Sequence, residues 1–166
     1  MKQSTLAVLA ALATMTTLTT ATAQAQVRSE KNISLALASE AAMAAVESCA
    51  KSGYNVAAVV VDRAGQIKAG VRGDNTGPHA FDTSRRKAYT SLTFRNESLK
   101  LMEAWAKNPA AQNLTQVQDV IALGGGVPIR AGNEVIGAIG VGGAPGGHLD
   151  EQCAVAAIDK IKDRLN

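Results

Sequence analysis

Between Ser29 and Ser52 the apolar residues Ile33, Leu37, Ala41, Ala44, Ala45 and Cys49 recur at helical spacing, and Gly53 follows as a stop. Val56–Val61 contains no polar residue, the mark of a strand covered on both faces. The stretch Asp62-Arg-Ala-Gly65 then turns the chain. Beyond it Ile67, Ala69 and Val71 alternate with Gln66, Lys68 and Arg72, which predicts a second, half-exposed strand. After a loop rich in glycine and proline, Asp82–Lys107 reads as one long helix ended by Asn108-Pro109, with a short helical or irregular stretch reaching Leu123. Gly124-Gly-Gly126 opens another strand pair, Val127–Arg130 and Glu134–Val141, joined by a turn at Ala131-Gly-Asn133. Asp150–Leu165 closes the chain as a helix with Ala154, Ile158 and Ile161 on its apolar stripe. The order is α-β-β-α-(α)-β-β-α. Hairpins in place of βαβ crossovers predict an α+β domain, an antiparallel β-sheet flanked by helices.

The first 25 residues stand apart. Lys2, the apolar stretch Leu6–Leu12, and small residues ending in Ala21-Thr-Ala23 and Ala23-Gln-Ala25 read as a secretory signal peptide cleaved after Ala25. The apolar run is too short and too interrupted by threonine to span a bilayer, so residues 26–166 are expected to be a single periplasmic or secreted domain without a membrane span. A formal charge of +3, lowered by one when Lys2 leaves, and only five aromatic residues give no basis for nucleic-acid binding. Two cysteines, Cys49 and Cys153, lie on or beside predicted buried stripes. In an oxidising compartment they are either a disulfide between neighbouring helices or two buried thiols, and their spacing matches no metal motif.

Candidate chemistry gathers in two glycine-rich loops. Residues 63–82, RAGQIKAGVRGDNTGPHAFD, parallel residues 130–150, RAGNEVIGAIGVGGAPGGHLD: an Arg-Ala-Gly turn, a strand, a glycine loop with proline, a histidine, an aspartate and a helix. The parallel puts His79 and His148 at equivalent strand-to-helix handovers. The second loop is no phosphate cradle, because no Gly-Lys-Ser/Thr follows it and Asp150 and Glu151 place negative charge at the helix start. It is a helix-start turn, or a ligand wall that presents His148. In the first loop Arg85, Arg86 and Lys87 follow Asp82-Thr-Ser. With Asp82 as N-cap, three cations crowd the positive end of a helix dipole and call for an anion nearby. With a start nearer Pro78 they sit a turn deeper and are solvated. A third arrangement, His79, Asp82, His148 and Asp150 as an acid–base or metal site, requires the repeat to bring all four together.

The segments AVVVDRAGQIKAGVRGDNTG, DTSRRKAYTS followed by Phe94, and GGGVPIRAGNEVIGAIGVGGAPGGHLDEQCAVAAID together resemble the GlcG/HbpS-like (DUF336-type) family of haem-binding and haem-degrading proteins. The resemblance covers nearly the whole of residues 26–166, and it departs at Asn96-Glu97-Ser98, where many members carry Pro-Thr. It implies a sheet flanked by helices, related in shape to profilin-like sensory domains, and homo-oligomers whose assembly covers strand 56–61. It also implies haem binding outside the cytoplasm, with haem breakdown, iron handling or redox sensing in some members. On that footing His79 is the first choice of axial ligand to iron and His148 the second. Arg85, Arg86 and Lys87 would pair the propionates, and Tyr89 and Thr90 would line the pocket. The alternative is an extracytoplasmic accessory or sensory module that binds another small anionic ligand through the same basic helix start.

Overall fold

A computed structural model describes residues 26–166; the expected leader, Met1–Ala25, lies outside the described residues. Helix α1, Leu35–Lys51, starts where the Ser34 hydroxyl accepts from the Leu37 amide, several residues later than the apolar spacing predicts. The preceding segment is extended, and the Ile33 amide donates to the Ile136 carbonyl. Ile33 therefore continues the apolar series as a buried residue outside the helix.

Four strands follow in two hairpins, β1 (Ala57–Asp62) with β2 (Ile67–Arg72) and β3 (Gly126–Ala131) with β4 (Glu134–Gly142). All neighbours are antiparallel in the order β2-β1-β4-β3, so the two hairpins join through β1 and β4 at the centre. Ala58 and Val60 face α1 and the closing helix α4 (Gly147–Ile161), while Val59 and Val61 face helix α2 (Ala80–Phe94). The all-apolar strand is thus explained by helices of its own chain on both sides. The expectation that assembly between copies covers it is not needed.

Three predicted boundaries are corrected. The long helix Asp82–Lys107 is two helices, α2 and α3 (Ser98–Ala106). Arg95 takes a left-handed conformation (φ 54°, ψ 33°), and the Arg95 and Asn96 amides turn back to the Leu92 and Ser91 carbonyls. Phe94 and Trp105 then pack edge-to-face at 5.0 Å across the bend, so the apolar periodicity survives a break in the backbone. Helix α2 also begins at Ala80, which places Asp82 inside the first turn and not at the N-cap. Helix α4 begins at Gly147 with Gly146 as N-cap, and Asp150 again sits inside the first turn.

The cysteine alternatives resolve into a disulfide. Cys49 of α1 and Cys153 of α4 are bonded, with Cα atoms 5.5 Å apart and a sequence separation of 104. Closing a loop of that length removes about 4–5 kcal/mol of chain entropy from the unfolded state in the simplest treatment.

On the other face α2 lies directly on the sheet. A Cβ on Gly140 would overlap the Ser84 carbonyl oxygen, and one on Gly126 would overlap the Lys87 carbonyl oxygen. Because these obstacles are helix backbone, side-chain repacking cannot relieve them. Gly140→Ala is expected to destabilise the fold by about 3 kcal/mol. Gly132→Ala, in an open hairpin turn at φ 60°, costs only the backbone penalty of about 1–2 kcal/mol. Urea denaturation of both variants checks this; equal losses would show that α2 is free to lift from the sheet.

Candidate functional site

Where β4 ends and α4 begins, the loop Gly143–Gly147 faces the start of α2 across a groove of about 260 Å³. His79, Thr83 and Lys87 stand four residues apart along α2 and so share one side of it, which is the side that lines the groove. Met102 of α3 and the Leu123-Gly124 segment complete the wall.

The floor is a buried ion pair. Lys87 Nζ lies 2.7 Å from Asp150 Oδ2 and donates to the Val141 carbonyl at 2.9 Å, while Asp150 Oδ1 accepts from the Ala144 amide at 3.0 Å. Both side chains are almost wholly buried. Loss of hydration pushes the Asp150 carboxyl above its usual value, against the opposing pull of Lys87 and the Ala144 amide. The pair ties α2, the end of β4, the glycine loop and α4 to one point.

His79 is exposed at the rim, its ring lying over Gly77. No side-chain hydrogen bond or ion pair engages it among the described residues, and the imidazole is open to a ligand. Whereas His79 is the N-cap of α2, His148 is the second residue of α4, although its ring likewise lies over the glycine two residues before it, Gly146. It lines a separate depression with Leu99, Glu151 and Gln152. The structure therefore places His79 on the groove and His148 outside it.

Of the three cations that follow Asp82, two find anions within the chain and the third a backbone carbonyl. Arg85 donates to Asp82 and to Asp119, at 3.0 and 2.8 Å, and these contacts, Asp119 foremost, hold its guanidinium above its usual value. Arg86 donates to the Val120 carbonyl at 2.9 Å, and Lys87 is held by Asp150. Thr90 is fully buried, its hydroxyl accepting from the Ile121 amide. Tyr89 faces a different cavity at the far end of α2. Sequence reasoning missed Thr83, Met102 and the Leu123-Gly124 wall. Thr83 lies midway between His79 and Lys87, four residues from each, and that spacing was its available signal; Met102 reaches the groove only because α2 and α3 bend at Arg95. The quartet His79, Asp82, His148 and Asp150 does not assemble, since Asp82 is drawn to Arg85 and Asp150 to Lys87. Among the described residues no three histidine, cysteine or carboxylate side chains gather as a metal-ion site.

The profile of haem-degrading proteins of the HbpS-like type matches residues 33–159, most of the chain. The chain belongs to the HbpS-like family. Its fold is that of a Streptomyces reticuli HbpS double mutant, with 35% identity and a TM-score of 0.76 over 85% of this chain and 98% of that one. Klebsiella pneumoniae ORFY, a DUF336 protein, superposes with a TM-score of 0.78 at 25% identity over 85% of this chain and 98% of its own. An uncharacterised 15.0 kDa Citrobacter freundii protein from the dhaT-dhaS intergenic region is 32% identical over 115 residues, 67% of this chain and 80% of that protein. The resemblance seen in the sequence is borne out, as is the α+β sheet flanked by helices.

Within the family frame the Lys87–Asp150 pair is testable by itself. Lys87→Met leaves Asp150 buried without its counter-charge and is expected to cost about 3–5 kcal/mol. Lys87→Met combined with Asp150→Leu removes both charges and is expected to recover most of that loss. Denaturation of the two single variants and the double variant measures the coupling; additive losses would contradict a direct pair.

Proposed function

We propose that the protein is an extracytoplasmic haem-binding protein in which His79 supplies the axial ligand at the groove beside the glycine loop. The observation that carries this reading is an imidazole with no side-chain partner among the described residues, held at the mouth of a groove whose far wall is the glycine-rich loop Gly143–Gly147. Neutral imidazole is the usual protein ligand to haem iron. A wall without side chains at Gly143, Gly146 and Gly147 lets a flat macrocycle approach the main chain closely. The groove volume falls a little below the roughly 300–1,000 Å³ of enclosed small-molecule sites, so it would enclose only part of a haem. Arg85 and Lys87 are already paired with carboxylates and Arg86 donates to the Val120 carbonyl, so none of the three is held in reserve for the propionates.

Membership of a family of haem-degrading proteins supports the choice of ligand. Bound haem would bring the redox chemistry, including any breakdown of its own ring by an added oxidant. The chain's residues would do the placing: His79 binds, Thr83 and Met102 border the site, and the Lys87–Asp150 pair keeps the glycine wall in position. The leader-like Met1–Ala25 and the Cys49–Cys153 disulfide support export to an oxidising compartment.

Haemin titration followed in the Soret region tests the assignment. A saturable shift with one haem per chain is expected. His79→Ala should abolish or move the band and weaken binding by about tenfold or more, whereas His148→Ala should leave both unchanged. An unaltered spectrum in His79→Ala removes His79 from the site.

A further inference from the structure

A second cavity, of about 510 Å³, opens at the other end of α2, where no residue of the haem groove reaches. It is built by the two Arg-Ala-Gly turns. Since β1 and β4 pair at the centre of the sheet, their hairpins place the turn at Arg63–Gly65 and the turn at Arg130–Gly132 at the same edge, each closed by a glycine at positive φ. The last turn of α2 covers the space between them with Tyr89, Leu92 and Arg95. Gly65 is required here, because a Cβ would stand 2.9 Å from the Tyr89 ring.

The lining carries three arginines, Arg63, Arg95 and Arg130, and one carboxylate, Glu134. Arg63 is neutralised by Glu30 at 3.2 Å and Glu134 at 3.0 Å. Arg95 and Arg130 take part in no ion pair among the described residues. The Arg130 guanidinium donates to the Arg95 carbonyl at 2.7 Å, which holds the two residues together at the rim. Arg95 also occupies the left-handed helix-end position that favours glycine or asparagine, so an arginine there carries a conformational cost with no ion pair to offset it.

We propose that this cleft binds a small organic dicarboxylate, with Arg95 and Arg130 each receiving a carboxylate and Tyr89 and Leu92 packing against a compact apolar body. Guanidinium matches carboxylate in a two-pronged geometry, and Tyr89 and Leu92 supply an apolar surface within an otherwise largely polar lining. The site is independent of the haem assignment, since it shares neither His79 nor the glycine loop.

Calorimetric titration of the purified protein with succinate and phthalate, at low ionic strength and with inorganic phosphate as the comparison, tests this. Saturable binding of one dicarboxylate per chain is expected. Arg95→Gln and Arg130→Gln should each weaken it by about tenfold or more, and His79→Ala should leave it unchanged. Arg95→Gly should raise the melting temperature by relieving the left-handed backbone and still weaken dicarboxylate binding. Absence of saturable binding by either dicarboxylate, binding that survives both glutamine variants, or an Arg95→Gly variant that binds as well as the parent each overturns the site. Tighter binding of phosphate than of the dicarboxylates overturns the ligand class.

Discussion

The backbone of α2 rests on the bare glycines of the sheet, and the positions of both cavities follow from that contact. A helix normally stands off a sheet by the thickness of two layers of side chains. Here Gly126 and Gly140 remove one layer, and the Ser84 and Lys87 carbonyls descend into the space. The Ser84 hydroxyl, fully buried, lies within hydrogen-bond distance of the Ala57 and Ala80 carbonyls, at 3.0 and 2.7 Å, and its one proton serves either β1 or the helix's own first turn. Contacts this close leave α2 one seating. Its fifteen residues, about 22 Å at the usual rise, then fix His79 at one end of the sheet and Tyr89 and Arg95 at the other.

Polar ties lock that seating from the side. Lys87 reaches through the layer to Asp150 and to the Val141 carbonyl, and Arg85 and Arg86 reach outward to Asp119 and Val120. Burying a lysine–aspartate pair costs hydration on both sides, so its return is measured less in stability than in the unique placement of the glycine loop. On the opposite face the Cys49–Cys153 disulfide joins α1 to α4 one turn beyond Asp150. The loop that forms the groove wall is thereby anchored from both faces of the sheet, while three of its five residues carry no side chain.

The strands were legible in the sequence because valine runs and Gly-containing turns act locally. The strand Val56–Val61 and both Arg-Ala-Gly turns lie where the pattern put them. The break at Arg95 was hidden because Phe94 and Trp105 keep a helical apolar rhythm across a bend that only the backbone records. The three adjacent cations were visible as an electrostatic problem, but their solution lay more than thirty residues away at Asp119 and Val120, in a segment without periodicity, and sixty-three away at Asp150. The resemblance between the loops did predict that each histidine stands at a helix start. It could not show that their helices lie on opposite faces of the sheet, which is why His79 and His148 never share a cavity. The same repeat carried more at its other end, where the paired turns build the arginine cleft.

The assignment of the two ends of α2 to two different ligands is most directly tested by amide NMR of the protein with ferric haemin, whose paramagnetism broadens nearby resonances. Broadening confined to His79, Thr83, Leu123, Gly124 and the Gly143–Gly147 loop, with Arg63, Arg95 and Arg130 left sharp, is the result this account predicts. Broadening centred on the hairpin turns, or spread evenly over the surface, would contradict it.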